Sequence, residues 1–316
     1  MKKKKYLALL LTAGMAAQTA FSYGGTVQVH AAEDTYVTTD ELTDGSAAAP
    51  KADKVVPSKN QYEYQKQELA AFCHFGMNTY TGSEWGNGKE DPKQFQLTND
   101  FDEETYVKAI HDAGFKKLII TAKHHDGFCI WPSAMTKHDT ETAGYDGDVL
   151  EELSRACTKY NIDMGLYLSP WDVNSEYYGY KDKDGNKLVG ADGQPLNGKS
   201  WEQVKAEDAL DYNDYYDEQL REILGNDKYG NNGHFTEVWM DGAKDTNDKS
   251  NAQDYDFQRW FKTIQEFEGK ASGKYDDDCL LFGAESYTTV RWIGNERGYA
   301  CLLYTSDAAD EARSVD

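Results

Sequence analysis

The chain has 316 residues, is 39% hydrophobic and carries a formal net charge of −22. That length and apolar content suffice for one large core or two modest ones. A surface this acidic repels nucleic acid and anionic membranes, so neither is expected as a partner; it suits a secreted protein acting on neutral ligands.

The N-terminus reads as a targeting segment. A basic "MKKKK" precedes the apolar "YLALLLTAGMAAQTAF", and small residues near Ala31–Ala32 offer a cleavage site. Residues 1–32 are therefore read as a signal peptide, with no membrane span in the mature chain and a secreted location. Residues 33–60 are polar, rich in small residues and unpatterned, as in a disordered linker.

From residue 61 a strand–helix beat sets in. Strands are predicted at 69–77, 116–124, 162–170, 236–243 and 279–284. Between them, helices are predicted at 102–115, 147–160, 206–224 and 254–268. In the first helix Val107, Ile110 and Ala113 share a face. In the second, Val149, Leu150, Leu153 and Ala156 do so. The strands are continuous apolar runs, as parallel strands covered by helices require. Polar and aromatic residues cluster just after each strand, in "HFGMNTY", "KHHDGF", "SPWD", "MDGA" and "AESYTTVRW". This is the distribution of an α/β, (β/α)8 TIM-like barrel, whose active site lies at the C-terminal ends of its strands. No GxGxxG follows any strand, so nucleotide binding lacks its usual signal.

About five strand–helix units fit between 61 and 300, whereas eight at this spacing need about 400 residues. The barrel is therefore expected to be incomplete and to lack strands six to eight, and such a chain is expected neither to fold stably nor to turn over substrate. Residues 301–316 continue no strand or helix pattern. They resemble a translated sequencing-adapter end and are read as an artefact.

Several residues stand where chemistry is done. Asp241 ends an apolar strand, sharing a face with Trp239 while Val238 and Met240 point the other way. Such a carboxylate suits a nucleophile or base. Glu285 and Glu296 follow strand five; either could supply the second carboxyl that glycoside hydrolysis needs. His74 ends strand one, ahead of the pair Glu84 and Trp85, an acid beside a ring that suits sugar hydroxyls and carbon faces. His124 and His125 are adjacent, and adjacent strand residues diverge unless a bulge turns one. Without a second H-x-H, a metal cage is poorly supplied. The cysteines show no CxxC and no metal spacing, and the first four read as small core residues.

Together the motifs "HFGMNTYTGSEWGNGKEDP", "TAKHHDGFCIWPS", "GLYLSPWD", "VWMDGA" and "VRWIGNERG" resemble glycoside hydrolase family 29, the retaining α-L-fucosidases, across about 70–300. The resemblance implies a catalytic barrel, normally followed by a β-sandwich, in which Asp241 is the nucleophile. Fucose-binding roles fall on His74, Glu84, Trp85, His124, His125, Tyr167 and Trp239. "RWIGNERG" is similar to the branch favouring α-1,3/1,4 linkages, in which the glutamate of G-N-E is the acid/base; that points to Glu296, with Glu285 as runner-up and Arg291 lining the mouth. The implied partners are fucosylated oligosaccharides or glycoproteins, and neither a metal nor an organic cofactor is implied. A non-catalytic carbohydrate-binding barrel and a different glycoside hydrolase remain the alternatives.

Overall fold

In the computed structural model of the chain, the described residues are 57–98, 101–190, 192–241, 253–269, 279–283 and 289–291. They belong to one compact unit, Pro57–Asp316; the other, Met1–Val56, lies outside the described residues, as do the signal segment and most of the expected linker. The expected artefact at 301–316 lies outside them as well.

Helix α1 (Lys59–Gln67) opens the fold, two residues inside the segment read as linker. Ser58 caps it by accepting from Gln61 N, while the Gln61 side chain returns to Ser58 N, a reciprocal capping box. Strand β1 (Ala70–Cys73), helix α2 (Glu103–Asp112), β2 (Lys117–Lys123), α3 (Val149–Tyr160), β3 (Asp163–Leu168), α4 (Tyr212–Leu224), β4 (Glu237–Trp239), α5 (Phe257–Glu268) and β5 (Leu280–Gly283) follow in the expected order. A two-residue sixth strand, β6 (Val290–Arg291), was not expected. It corrects the view that the chain lacks strand six.

All five strand pairings are parallel, and the sheet order is sequential, β1 to β6. A doubly wound sheet reverses its order at a switch point; this one does not, which is the connectivity of a barrel wall. Among the described residues β6 does not return to β1.

Alternation along the strands divides the two faces. Leu118, Ile120 and Ala122 of β2, Met164, Leu166 and Leu168 of β3, and Val238 of β4 join the helix-side core, with Met240 packed against it. That core includes Val149, Leu150, Leu153 and Ala156 of α3, as expected from their spacing. Each Val, Leu, Ile or Met side chain so removed from water contributes about 1.5–3 kcal/mol before entropy is counted, and an alanine methyl less. The opposite face carries Lys117, Thr121, Tyr167, Glu237 and Trp239. Lys117 Nζ and Glu237 Oε2 pair there at 2.9 Å, both essentially inaccessible to water.

Two helix expectations are corrected. The region 206–224 is not one helix: Trp201–Glu207 ends at Asp208, and α4 restarts with Asp211 as its N-cap, accepting from Asn213 N. Ala113 is the exposed C-cap of α2 and joins no face; Val107 is buried and Ile110 partly so. The described cysteines are free, with Cys129, Cys157 and Cys279 buried. No helix among the described residues is long and apolar enough to cross a membrane.

Candidate active site

The site forms where β1 to β4 end. Its geometry depends on an irregularity in β2. Thr121 pairs with Tyr167 and Lys123 with Leu168, so two residues of β2 advance against one of β3, the mark of a bulge around Ala122. Lys123, at the end of the bulge, points its ammonium into the protein. There it meets Asp172 Oδ2 at 3.2 Å and Gln219 Oε1 at 2.7 Å. After the bulge both histidine rings enter the same polar pocket. The His124 ring lies 4.3 Å from that of His74 and 4.0 Å from that of His125, and it stacks on Tyr167 at 5.6 Å with the planes 15° apart.

His125 Nδ1 lies 2.7 Å from Ser169 Oγ, one residue past β3. The Ser169 hydroxyl also receives Trp171 N at 3.1 Å, and it lies 3.3 Å from the Asp241 carbonyl. Trp171 in turn lies 4.8 Å from the His125 ring and 5.6 Å from Trp85. Trp85 remains 51% exposed at the rim. Tyr167 is buried, and its hydroxyl donates to Asp241 Oδ2 at 2.8 Å. Trp239, on the same face, packs its ring 3.8 Å from Phe282 and 5.1 Å from Phe72.

Burial sets the electrostatics. It holds His124 down to about 3, helped by the neighbouring His125 and His74 and opposed by Asp241. It likewise holds His125 down to about 3, with His74 and Lys123 adding to the effect. The His74 value is lowered by burial too, against the pull of Glu84 and Asp241. Near neutral pH, His124 and His125 are therefore uncharged, so a ring nitrogen without a protein partner can donate to or accept from a hydroxyl group according to tautomer; His125 Nδ1 is already taken by Ser169. His124 Nδ1 is buried without a hydrogen-bond partner, a position that a ligand hydroxyl would satisfy. Burial also drives Asp126 up to about 7, with Asp172 and Glu90 adding to the shift.

His74, His124, His125, Tyr167, Trp239 and Asp241 thus share one strand-end region, with Trp85 at its edge. Glu84 is exposed and acts on His74 through its charge. Glu285 and Glu296 lie outside the described residues; Arg291 is described only as the second residue of β6. The bulge that adjacent histidines need in order to converge is present. The bulge makes the paired histidines converge, and ligand atoms of His124, His125 and Asp241 lie within 4.8 Å of one another, a donor set that a cation could use. Sequence reasoning missed Ser169 and Trp171. Their signal was the polar and aromatic "SPWD" directly after β3.

The family model described as Alpha-L-fucosidase matches residues 37–278. The chain belongs to the alpha-L-fucosidase family. Alpha-L-fucosidase 1 of Arabidopsis thaliana is 36% identical over 248 residues, covering 78% of this chain and 40% of that protein. The tissue alpha-L-fucosidase of Rattus norvegicus is 36% identical over 127 residues, 40% of this chain and 27% of the relative. A solved structure of a Ruminococcus gnavus glycoside hydrolase family 29 fucosidase in complex with fucose is 57% identical, with a TM-score of 0.69, over 84% of this chain and 51% of that one. The chain of this fucosidase-family member thus spans about half the length of that solved relative, and two fifths of the Arabidopsis one. The family's TIM-like barrel agrees with the sequential parallel sheet described above.

Proposed function

We propose that the protein is a secreted, retaining exo-α-L-fucosidase that releases terminal α-1,3/1,4-linked fucose from glycans. The observation that carries this reading is Asp241, held at 2.8 Å by the Tyr167 hydroxyl beside a wall of uncharged histidines. A sugar presents hydroxyl groups to such a wall and its apolar edge to rings such as Trp239 and Trp171.

In the first step the Asp241 carboxylate attacks the anomeric carbon. The C–O bond to the leaving glycan breaks as the acid residue protonates that oxygen. The Tyr167 hydrogen bond fixes the direction of attack. In the second step water, deprotonated by the same residue, displaces the aspartyl ester and restores the starting configuration. The acid/base role is assigned to Glu296, with Glu285 second, on the resemblance of "RWIGNERG" to the α-1,3/1,4 branch. A retaining pair stands about 5–5.5 Å apart. His74, His124, His125 and Glu84 would hold the fucose hydroxyls, Trp85 would stack at the rim, and Arg291 would line the mouth.

In the full-length protein, Asp241→Gly should abolish hydrolysis of an aryl α-L-fucoside, and azide should restore turnover by yielding a fucosyl azide of inverted configuration. An inactive variant that azide leaves inactive, or one that remains active, would refute the nucleophile. Loss of the true acid should spare formation of the fucosyl-enzyme from an aryl fucoside but not cleavage of a natural glycan, which separates Glu296→Ala from Glu285→Ala.

A further inference from the structure

A cavity of about 350 Å³ lies between the loop after β2 and the loop after β3, lined by residues 134–137, 174–177 and Tyr215. Its size is that of a small-ligand pocket. None of the residues assigned above to fucose or to the chemistry lines it.

Both walls are pinned. Glu222 of α4 accepts from Ser133 Oγ at 2.7 Å and from Ala134 N at 2.6 Å, fixing the first loop. Asp172 Oδ1 accepts from Asn174 N and Ser175 N at 3.0 and 2.8 Å, fixing the second. Asn174 Nδ2 reaches across to the Gly88 carbonyl at 3.2 Å. Little ordering therefore remains to be done on binding, which favours affinity.

The lining chemistry is mixed. Tyr177 is half-buried and stacks on Tyr215, with centroids 5.1 Å apart and planes 12° apart. Lys137 and Glu176, both exposed, bring opposite charges, and among the described residues neither forms an ion pair through its side chain. The Thr136 and Ser175 hydroxyls are engaged within the wall, accepting from His138 N and Tyr177 N at 3.0 and 3.2 Å and bonding the Tyr215 hydroxyl. A tyrosine ring flanked by donors and acceptors of both signs suits a neutral pyranose, with its C–H face and its ring of hydroxyls. The balanced charge in a chain of net −22 disfavours a polyanion.

The second loop is continuous with the fucose wall: Trp171 contacts the His125 ring, and Val173 N donates to the His125 carbonyl at 2.9 Å. The geometry points to a second carbohydrate site here, which takes a neutral hexose or N-acetylhexosamine unit of the glycan away from the fucose. The assignment of that glycan rests on the fucosidase reading; the pocket's chemistry does not.

The test uses the full-length protein and two probes. A fucose-free N-acetyllactosamine oligosaccharide is titrated by ligand-observed NMR into the wild type, Tyr177→Ala and Lys137→Ala, and an aryl α-L-fucoside is assayed in parallel. Saturable binding to the wild type is expected, weakened about tenfold by Tyr177→Ala, the scale of one lost aromatic contact. Lys137→Ala, at an exposed position that tolerates change, should weaken it less, and aryl-fucoside turnover should stay unchanged in both. No saturable binding to the wild type, or equal binding by all three proteins, overturns the site even where the aryl fucoside is cleaved. Binding that follows the variants while the wild type leaves the aryl fucoside intact overturns the fucosidase reading and keeps the site.

Discussion

Asp126 directly follows the paired histidines, and only 1% of it is exposed. Its Oδ1 accepts from Phe128 N at 2.8 Å, while Oδ2 is buried without a partner. Burial, reinforced by Asp172 and Glu90 and opposed by Lys123, raises its carboxyl to about 7. The folded state therefore holds a proton that the unfolded chain loses in the ordinary carboxylate range. Stability is fully present below about pH 4 and falls as pH rises toward 7, by about 1.4 kcal/mol per pH unit within that window. His124 and His125 act in the opposite sense: each is held at about 3, so acid weakens the fold between roughly pH 6.5 and 3. Asp126→Asn cannot ionise and fills the same space. Urea unfolding of both proteins from pH 4 to pH 8 should show the variant gaining on the wild type as pH rises, the histidine effect being common to both. A constant difference would mean that Asp126 is ionised in the fold. None of this was legible in "KHHDG", because burial and the nearness of Glu90 and Asp172 are properties of the folded chain.

At the scale of elements, continuous apolar runs gave the strands and helical spacing gave α3. Tertiary or local choices account for the departures. The break between Trp201–Glu207 and α4 escaped notice because the residues on both sides have helical character and Asp211, the cap, is one acid among many. The β2 bulge concerns register between two strands, which one strand's sequence does not encode. It matters because it turns both histidines into the pocket. Gly127, two residues beyond them, closes the turn. Its φ is +78°, and a Cβ there would lie 2.3 Å from Asp172 Oδ1, the oxygen that holds the loop after β3. Gly127→Ala should therefore cost about 2 kcal/mol or more in denaturant unfolding, through left-handed strain and the clash together. A change below about 0.5 kcal/mol, ordinary for a neutral surface substitution, would show that the turn relaxes freely.

For the whole molecule, the sequential parallel sheet places the ends of successive strands side by side, so residues far apart in sequence meet: His74 after β1, His124 and His125 after β2, Ser169 and Trp171 after β3, and Asp241 after β4. Individual residues at strand ends could be read from sequence because a polar side chain after an apolar run is conspicuous. Ser169 stands in the same kind of place, but its role lies in what its hydroxyl joins, which strand-end position alone does not show. The central claim is that Asp241 becomes covalently attached to fucose. Incubating the full-length protein with a slow fluorinated fucosyl donor, followed by digestion and peptide mass spectrometry, tests it directly. The fucosyl mass should appear on the peptide containing Asp241 and be absent from Asp241→Asn. A label on another carboxylate, or turnover by Asp241→Asn at the wild-type rate, would contradict the claim.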